Sequence, residues 1–177
     1  KIALNALNVG RIKLAAANLD GQRRILEHSV KYANERKQFG VSISTFGAIR
    51  KKIAEMATGI FVSEAGVYRA ANDIQNKINE LVAAGMNHQE AELKGVEEFA
   101  VECSILKVFV SDLTQNTADE GIQVFGGMGF SEDTPIEAAW RDARIGRIYE
   151  GTNEINRLLA VGMLIKRAMK GQLDLLS

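Results

Sequence analysis

Apolar residues recur along most of the chain at intervals of three, four and seven, the spacing of one face of an α-helix. Over residues 2–33, Leu4, Leu7, Ile12, Ala15, Leu19, Leu26 and Val30 share such a face and predict one long helix. Gly10 and Gly21 inside it lower helix propensity, which points to close packing or ligand approach rather than a break. Residues 34–44 read as a turn, with Ser44 or Thr45 placed to cap a second helix that repeats Phe46, Ile49, Ile53, Met56, Ile60, Val67, Ile74, Ile78 and Leu81. Gly85-Met86-Asn87 ends that pattern. The acidic stretch from Glu90 to Glu98 reads as a solvated face leading into a third helix through Val96, Phe99, Cys103, Leu106, Val110, Leu113 and Thr117.

Gly121 to Asp133 is rich in glycine and lacks a long apolar period, so it is expected as an extended loop. Helix resumes at Thr134-Pro135-Ile136-Glu137, which combines a capping hydroxyl, proline at the first helical position and a glutamate able to close a capping box. A last helix starts at Thr152, its cap, and runs through Ile155, Leu158, Leu159, Gly162, Ile165 and Met169. Lys166, Arg167 and Lys170 suit the negative end of its dipole, and Gly171 suits its C-terminal cap. Strand-like alternation is nearly absent. The fold class is therefore all-α, an antiparallel up-down helical bundle of long helices with short extra helices.

Composition narrows the function. At 177 residues and 46% hydrophobic content, one domain with a substantial core is expected without metal or disulfide. Lys plus Arg and Asp plus Glu both number 22, so no global field selects nucleic acid or an anionic membrane. The apolar runs are too short for a membrane span. The single cysteine, Cys103, sits in an apolar helical setting and reads as a reduced core thiol, pointing to an intracellular compartment. The absence of a leader pattern and of an initiator Met suggests a piece excised from a larger protein. No metal is expected: a di-iron bundle needs Glu three residues before its His ligands, and neither His28 nor His88 has one. Gly126-Gly127-Met128-Gly129 lacks the strand-loop-helix setting of a phosphate-binding turn.

Two segments stand out chemically, and each has two readings. Arg36-Lys37-Gln38-Phe39-Gly40 places a fixed cation, an amide and an aromatic in a helix-ending turn, suited to phosphate contact and stacking or simply to a basic C-cap. Tyr149-Glu150-Gly151-Thr152 sets a carboxylate before a helix start, followed by a residue that lets a flat ligand approach the backbone. That carboxylate could serve as a general base in a water-excluded cleft or merely complement the helix dipole. On the residues alone the plainer reading is preferred in both segments.

Taken in order, Arg36-Lys37-Gln38-Phe39-Gly40, the run Gln123 to Phe130, Arg141-Asp142-Ala143-Arg144 and the run Ile148 to Ile155 resemble the acyl-CoA dehydrogenase family, across essentially the whole chain. That resemblance implies residues 1–177 are the C-terminal helical bundle, with the N-terminal helical and middle β domains absent. It implies an FAD enzyme of fatty acid β-oxidation that converts acyl-CoA to trans-2-enoyl-CoA and passes electrons to an electron-transferring flavoprotein. Glu150 matches the base that takes the α-proton. Some branches carry the base instead at the position of Gly10, where glycine cannot serve.

By the same resemblance, Arg11, Leu7, Asn8, Tyr149 and Gly151 line the acyl-CoA site. Arg36, Gln38 and Phe39 hold FAD from a neighbouring subunit, joined by Gln123 and Gly127, while Thr152 and Glu154 contact FAD after the base. The implied protein is a homo-oligomer, a dimer or tetramer, in the cytoplasm or, in a eukaryote, the mitochondrial matrix. The chain departs from the family pattern where Phe46 is followed by Gly47 rather than Gln, and its longer stretch from Ala71 to Glu97 resembles long-chain bacterial branches. The alternatives are an acyl-CoA oxidase, with oxygen as acceptor, or a helical scaffold that kept the fold without the chemistry.

Overall fold

The structure, a computed structural model, describes residues 2–174, with side chains described from residue 6 onward; Leu4 of the first apolar face lies outside the described side chains. In order, the elements are α1 (Ile2–Glu35), β1 (Lys37–Gln38), β2 (Val41–Ser42), a 3-10 turn (Ile43–Thr45), α2 (Gly47–Ala83), α3 (His88–Glu98), α4 (Ala100–Phe125), a second 3-10 turn (Gly126–Phe130), α5 (Pro135–Ile145) and α6 (Asn153–Met169). No helix among the described residues is long and apolar enough to cross a membrane.

Paired residues give the helix directions. α1 and α4 run parallel: Arg11 reaches Ser104, Gln22 donates to Thr114 Oγ1 at 2.8 Å, and Tyr32 stacks on Phe125 with ring centroids 4.1 Å apart. α2 runs against both, with Arg23 of α1 paired to Glu64 at 2.5 Å and Lys52 of α2 paired to Glu120 of α4. α6 also opposes α4, since Asn153 meets Ser111 near its start and Arg167 meets Glu98 near its end. This is the expected up-down bundle. Its core comprises a Leu19, Val67 and Val110 layer at the middle, Ile74, Ile78 and Cys103 toward the start of α1, and Ala33, Met56 and Val124 toward its end. Cys103 is fully buried there, and burial pushes its thiol up to about 11, so the core reading holds.

Several local expectations are corrected. α1 continues to Glu35, and the following turn contains the β1–β2 hairpin, with Lys37 opposite Ser42 and Gln38 opposite Val41. Phe46 occupies the N-cap of α2, because the Thr45 hydroxyl bonds the Ser42 carbonyl at 2.7 Å and Ser44 meets the Ser42 hydroxyl. The acidic stretch forms its own helix, α3, whose N-cap is the Asn87 side chain; Glu90, Glu92, Glu97 and Glu98 are exposed, as expected of a solvated face, while Ala91 and Gly95 are buried. Residues 121–125 extend α4, and the expected loop after them is a 3-10 turn. Pro135 does open α5, but the Thr134 hydroxyl donates to the Met128 carbonyl at 2.9 Å and Glu137 pairs with Arg141, so no capping box forms. Gly21 faces open space, so no close packing within the chain marks it, and α1 runs through it unbroken.

Gly95 is the tight point of the α2–α3 contact: a Cβ there would stand 2.6 Å from Ile78 Cγ1. The branch carbon cannot swing aside as a flexible tip would. Gly95→Ala is therefore expected to destabilise the fold by about 1–3 kcal/mol through overpacking, read as a lowered urea midpoint. An unchanged midpoint would show that this contact is looser than drawn.

Candidate functional site

The turn between α5 and α6 is organised by its carbonyls. Arg11 Nε from α1 donates to the Glu150 carbonyl at 3.3 Å. Asn156 Nδ2 from α6 reaches the carbonyls of Glu150, Gly151 and Thr152 at 3.4, 2.8 and 3.1 Å. Lys107 Nζ from α4 donates to the Gly151 carbonyl at 2.8 Å and to Asn153 Oδ1 at 2.7 Å. Three helices thus supply donors to three consecutive inward-facing carbonyls. The backbone N–H groups of Glu150, Gly151 and Thr152 have no acceptor among the described residues.

This clamp holds Glu150 in the left-handed region at φ 56. Such a conformation costs a residue with a side chain of order 1–3 kcal/mol and persists only where its surroundings over-determine it. Among the described residues only one other non-glycine shares a positive φ, Phe39 at 52. Gly151 follows at φ 84, and a Cβ added to it would meet Asn156 Nδ2 at 3.1 Å, so the turn favours glycine on both conformational and packing grounds. The Glu150 carboxylate lies against α1 at Gly10: a Cβ there would stand 2.5 Å from Oε2 and 2.8 Å from Oε1. Gly10 is thus a place of close approach, as expected for one of the two glycines of α1.

The other candidates of this end gather around the same turn. Asn8 is buried and accepts from Arg11 Nη1 at 2.9 Å, Leu7 lies exposed nearby on α1, and Tyr149 is half-exposed beside Glu150. Burial lowers Arg11 from its ordinary value, opposed by Cys103 and Glu150, and burial raises Tyr149, helped by Glu150. The Thr152 hydroxyl caps α6 by accepting from the Ile155 N–H at 3.3 Å. Glu154 is held below the usual carboxylate range by its own backbone N–H and then by the Thr152 hydroxyl.

Arg36, Gln38 and Phe39 lie elsewhere, on the hairpin at the far end of α1. Phe39 is 91% exposed at the tip, with its ring edge-on to Phe46. Among the described residues neither the Arg36 nor the Gln38 side chain makes a hydrogen bond or ion pair. Gln123 and Gly127 are exposed around the C-terminus of α4, next to the Tyr32–Phe125 stack that ties that end to the hairpin. At about 1.5 Å per residue, the helix separates Gly10 from Arg36 by about 40 Å. The two groups cannot form one pocket on one chain. Among the described residues no group of three or more His, Cys, Asp or Glu side chains gathers as metal ligands would.

Sequence reading missed Lys107, Asn153 and Asn156. Lys107 and Asn156 are fully buried and Asn153 nearly so. A signal existed for Lys107, since it falls in register with Ala100, Cys103, Ser104, Ser111 and Thr114 on the buried stripe of α4.

The chain belongs to the acyl-CoA dehydrogenase family: the profile of that family's C-terminal domain matches residues 1–164. A probable acyl-CoA dehydrogenase of Bacillus subtilis is 41% identical over 98% of this chain, which spans 29% of that relative. The human mitochondrial very long-chain specific acyl-CoA dehydrogenase is 38% identical over 89% of this chain and 21% of its own length. The crystal structure of an acyl-CoA dehydrogenase complexed with FAD from Bacillus anthracis superposes with a TM-score of 0.92 at 42% identity, covering 97% of this chain and 30% of that one. The chain therefore spans under a third of the length of each of these three relatives.

Lys107 makes the site's stability depend on pH. Burial, then Arg11, lowers it to about 8, against the pull of Asp112, Glu154 and Glu150. An unfolded lysine titrates near 10.4. Between about 8 and about 10 the unfolded chain binds more protons, so this group makes stability rise with pH in that window; below about 8 both states are protonated and the burial penalty is present in full. Urea midpoints of wild type and Lys107→Met should therefore diverge in favour of wild type on going from about pH 8 to about pH 10. A gap that stays constant with pH would contradict the depressed value.

Proposed function

We propose that this chain is the C-terminal helical bundle of an FAD-dependent acyl-CoA dehydrogenase, with Glu150 as the base that removes the substrate α-proton. The observation that carries the reading is the clamped turn: a carboxylate held in a left-handed backbone, against a glycine, beside N–H groups that have no acceptor among the described residues. In this reading the thioester carbonyl accepts from the Glu150 N–H, which stabilises enolate charge as the Cα–H bond breaks and the proton passes to the Glu150 carboxylate. FAD, when bound, supplies the acceptor for the β-hydride, so the Cα–Cβ double bond of the enoyl product forms. Leu7, Asn8, Arg11, Tyr149 and Gly151 shape the acyl-CoA end, with Arg11 fixing the base through its backbone carbonyl. The position of Gly10 supports this assignment: a side chain there would occupy the space of the Glu150 carboxylate, so one or the other residue can present a base at that point.

The hairpin fits the nucleotide part of the cofactor. Phe39 offers an exposed aromatic face in a strained conformation, and Arg36 and Gln38 offer unengaged donors. Because these residues stand about 40 Å along α1 from Glu150, they would serve a partner's site, with Gln123 and Gly127 beside them and Thr152 and Glu154 at the chain's own. The working unit is accordingly a homo-oligomer whose subunits exchange hairpins. Its electrons pass to an electron-transferring flavoprotein.

In the full-length protein, Glu150→Gln is expected to slow flavin reduction by acyl-CoA about a thousandfold, on the scale of a removed general base. Stopped-flow bleaching of the flavin absorbance measures it, and a full-rate variant would end the base assignment. Arg36→Ala is expected to lower the FAD retained after gel filtration while the far-ultraviolet circular dichroism stays unchanged, because one charge-assisted phosphate contact is lost. Wild-type FAD content in that variant would remove the hairpin from the cofactor site.

A further inference from the structure

Lys107 is fully buried, and among the described residues its ammonium donates to neutral acceptors alone, the Gly151 carbonyl and Asn153 Oδ1. Asp112 is within one residue's reach of the same network, yet an amide stands between. Asn153 Oδ1 takes Lys107 while its Nδ2 gives to Asp112 Oδ1 at 3.0 Å. The Asp112 carboxylate is already shared by Arg147 at 2.8 Å and Arg157 at 2.7 Å. A buried ammonium without a directly paired carboxylate is a poor way to stabilise a fold, because its desolvation is not offset by an ion pair. A neutral side chain of similar length would fill the same space. What the lysine adds is a donor on the residue after Glu150 and a positive charge in the same enclosure.

We infer that Lys107 is a positioning residue: it fixes the Glu150–Gly151–Thr152 turn through the Gly151 carbonyl and Asn153. The inference rests on the reading of Glu150 as the base. The charged groups that act on Lys107 are Arg11 from α1, Asp112 from α4, Glu150 from the turn and Glu154 from α6. Arg11 is the like charge among them, and it is committed to Asn8 and to the Glu150 carbonyl. Lys107 therefore acts on the backbone one residue beyond the point where Arg11 acts. Together they hold both ends of the strained peptide.

The test uses Lys107→Met and Lys107→Gln in the full-length flavoprotein, reading the limiting rate of flavin reduction by acyl-CoA, with FAD content and thermal unfolding alongside. Both variants are expected to retain FAD and to reduce it about tenfold or more slowly, the scale of a displaced reacting group. Gln, which can still donate to the Gly151 carbonyl, should recover part of the rate that Met loses. Equal rates in the two variants, a wild-type rate in both, or loss of the folded state in both would leave Lys107 a purely structural role and overturn the proposal. Failure of the base reading is separately visible: there Glu150→Gln would keep its rate whatever Lys107 does.

Discussion

The structure turns on three consecutive carbonyl groups facing inward. Glu150, Gly151 and Thr152 direct their oxygens at Arg11, Lys107 and Asn156, which belong to three different helices. A turn that buries its carbonyls must find them donors, and here neutral amide and cationic donors are supplied from α1, α4 and α6. The relation also runs the other way. α6 is held against α4 partly through Asn153 and Asp112, so the donors that shape the turn also dock the helix that follows it. The positive φ of Glu150 is the visible consequence, since the backbone takes an unfavourable conformation to satisfy all three oxygens at once.

A second strained residue, Phe39, sits at the opposite end of α1, where its hairpin is anchored by the Ser42 hydroxyl to the Ala33 carbonyl at 2.7 Å. Strain concentrated at two remote points suggests two functional ends on one rigid rod. The buried middle of α1, where the Gln22 amide donates to Thr114 Oγ1 and the Val110 carbonyl of α4, has no such strained residue. A long helix with one strained turn packed against its start and a strained hairpin after its end suits the proposed assembly in which each copy completes its neighbour.

Much of this was legible in the sequence because periodicity reports buried faces. The long helices followed from Ile, Leu and Val at helical spacing, and Thr152 and Gly171 marked the limits of α6 as their chemistry requires. The errors fell where a side chain chose a partner that sequence spacing cannot show. Thr134 turned to the Met128 carbonyl, Glu137 turned to Arg141, and Ser44 and Thr45 turned back toward Ser42 instead of capping α2. Gly121 sits in α4 because a Cβ there would stand 2.9 Å from Ile25, a packing demand between α1 and α4 that composition alone reads as a loop. At the site, Glu150 was visible as a carboxylate before a helix start, but its left-handed backbone was not.

Lys107 shows most directly why the rest was hidden. In a linear reading, a lysine on a helix is assigned to solvent, because its charge is rarely buried. That inference assumes the helix has a free face at that position. α4 has little: α1, α2, α5 and α6 all pack on it, and residues on most sides of it are buried. A lysine in such a helix must find buried acceptors or be excluded, and Lys107 finds them at the Gly151 carbonyl of the turn before α6 and at Asn153 Oδ1. The same enclosure that makes α4 the centre of the bundle thus delivers its one central cation to the carbonyl following Glu150. The geometry of the turn and the packing of the core are in this respect a single arrangement, read from its two ends.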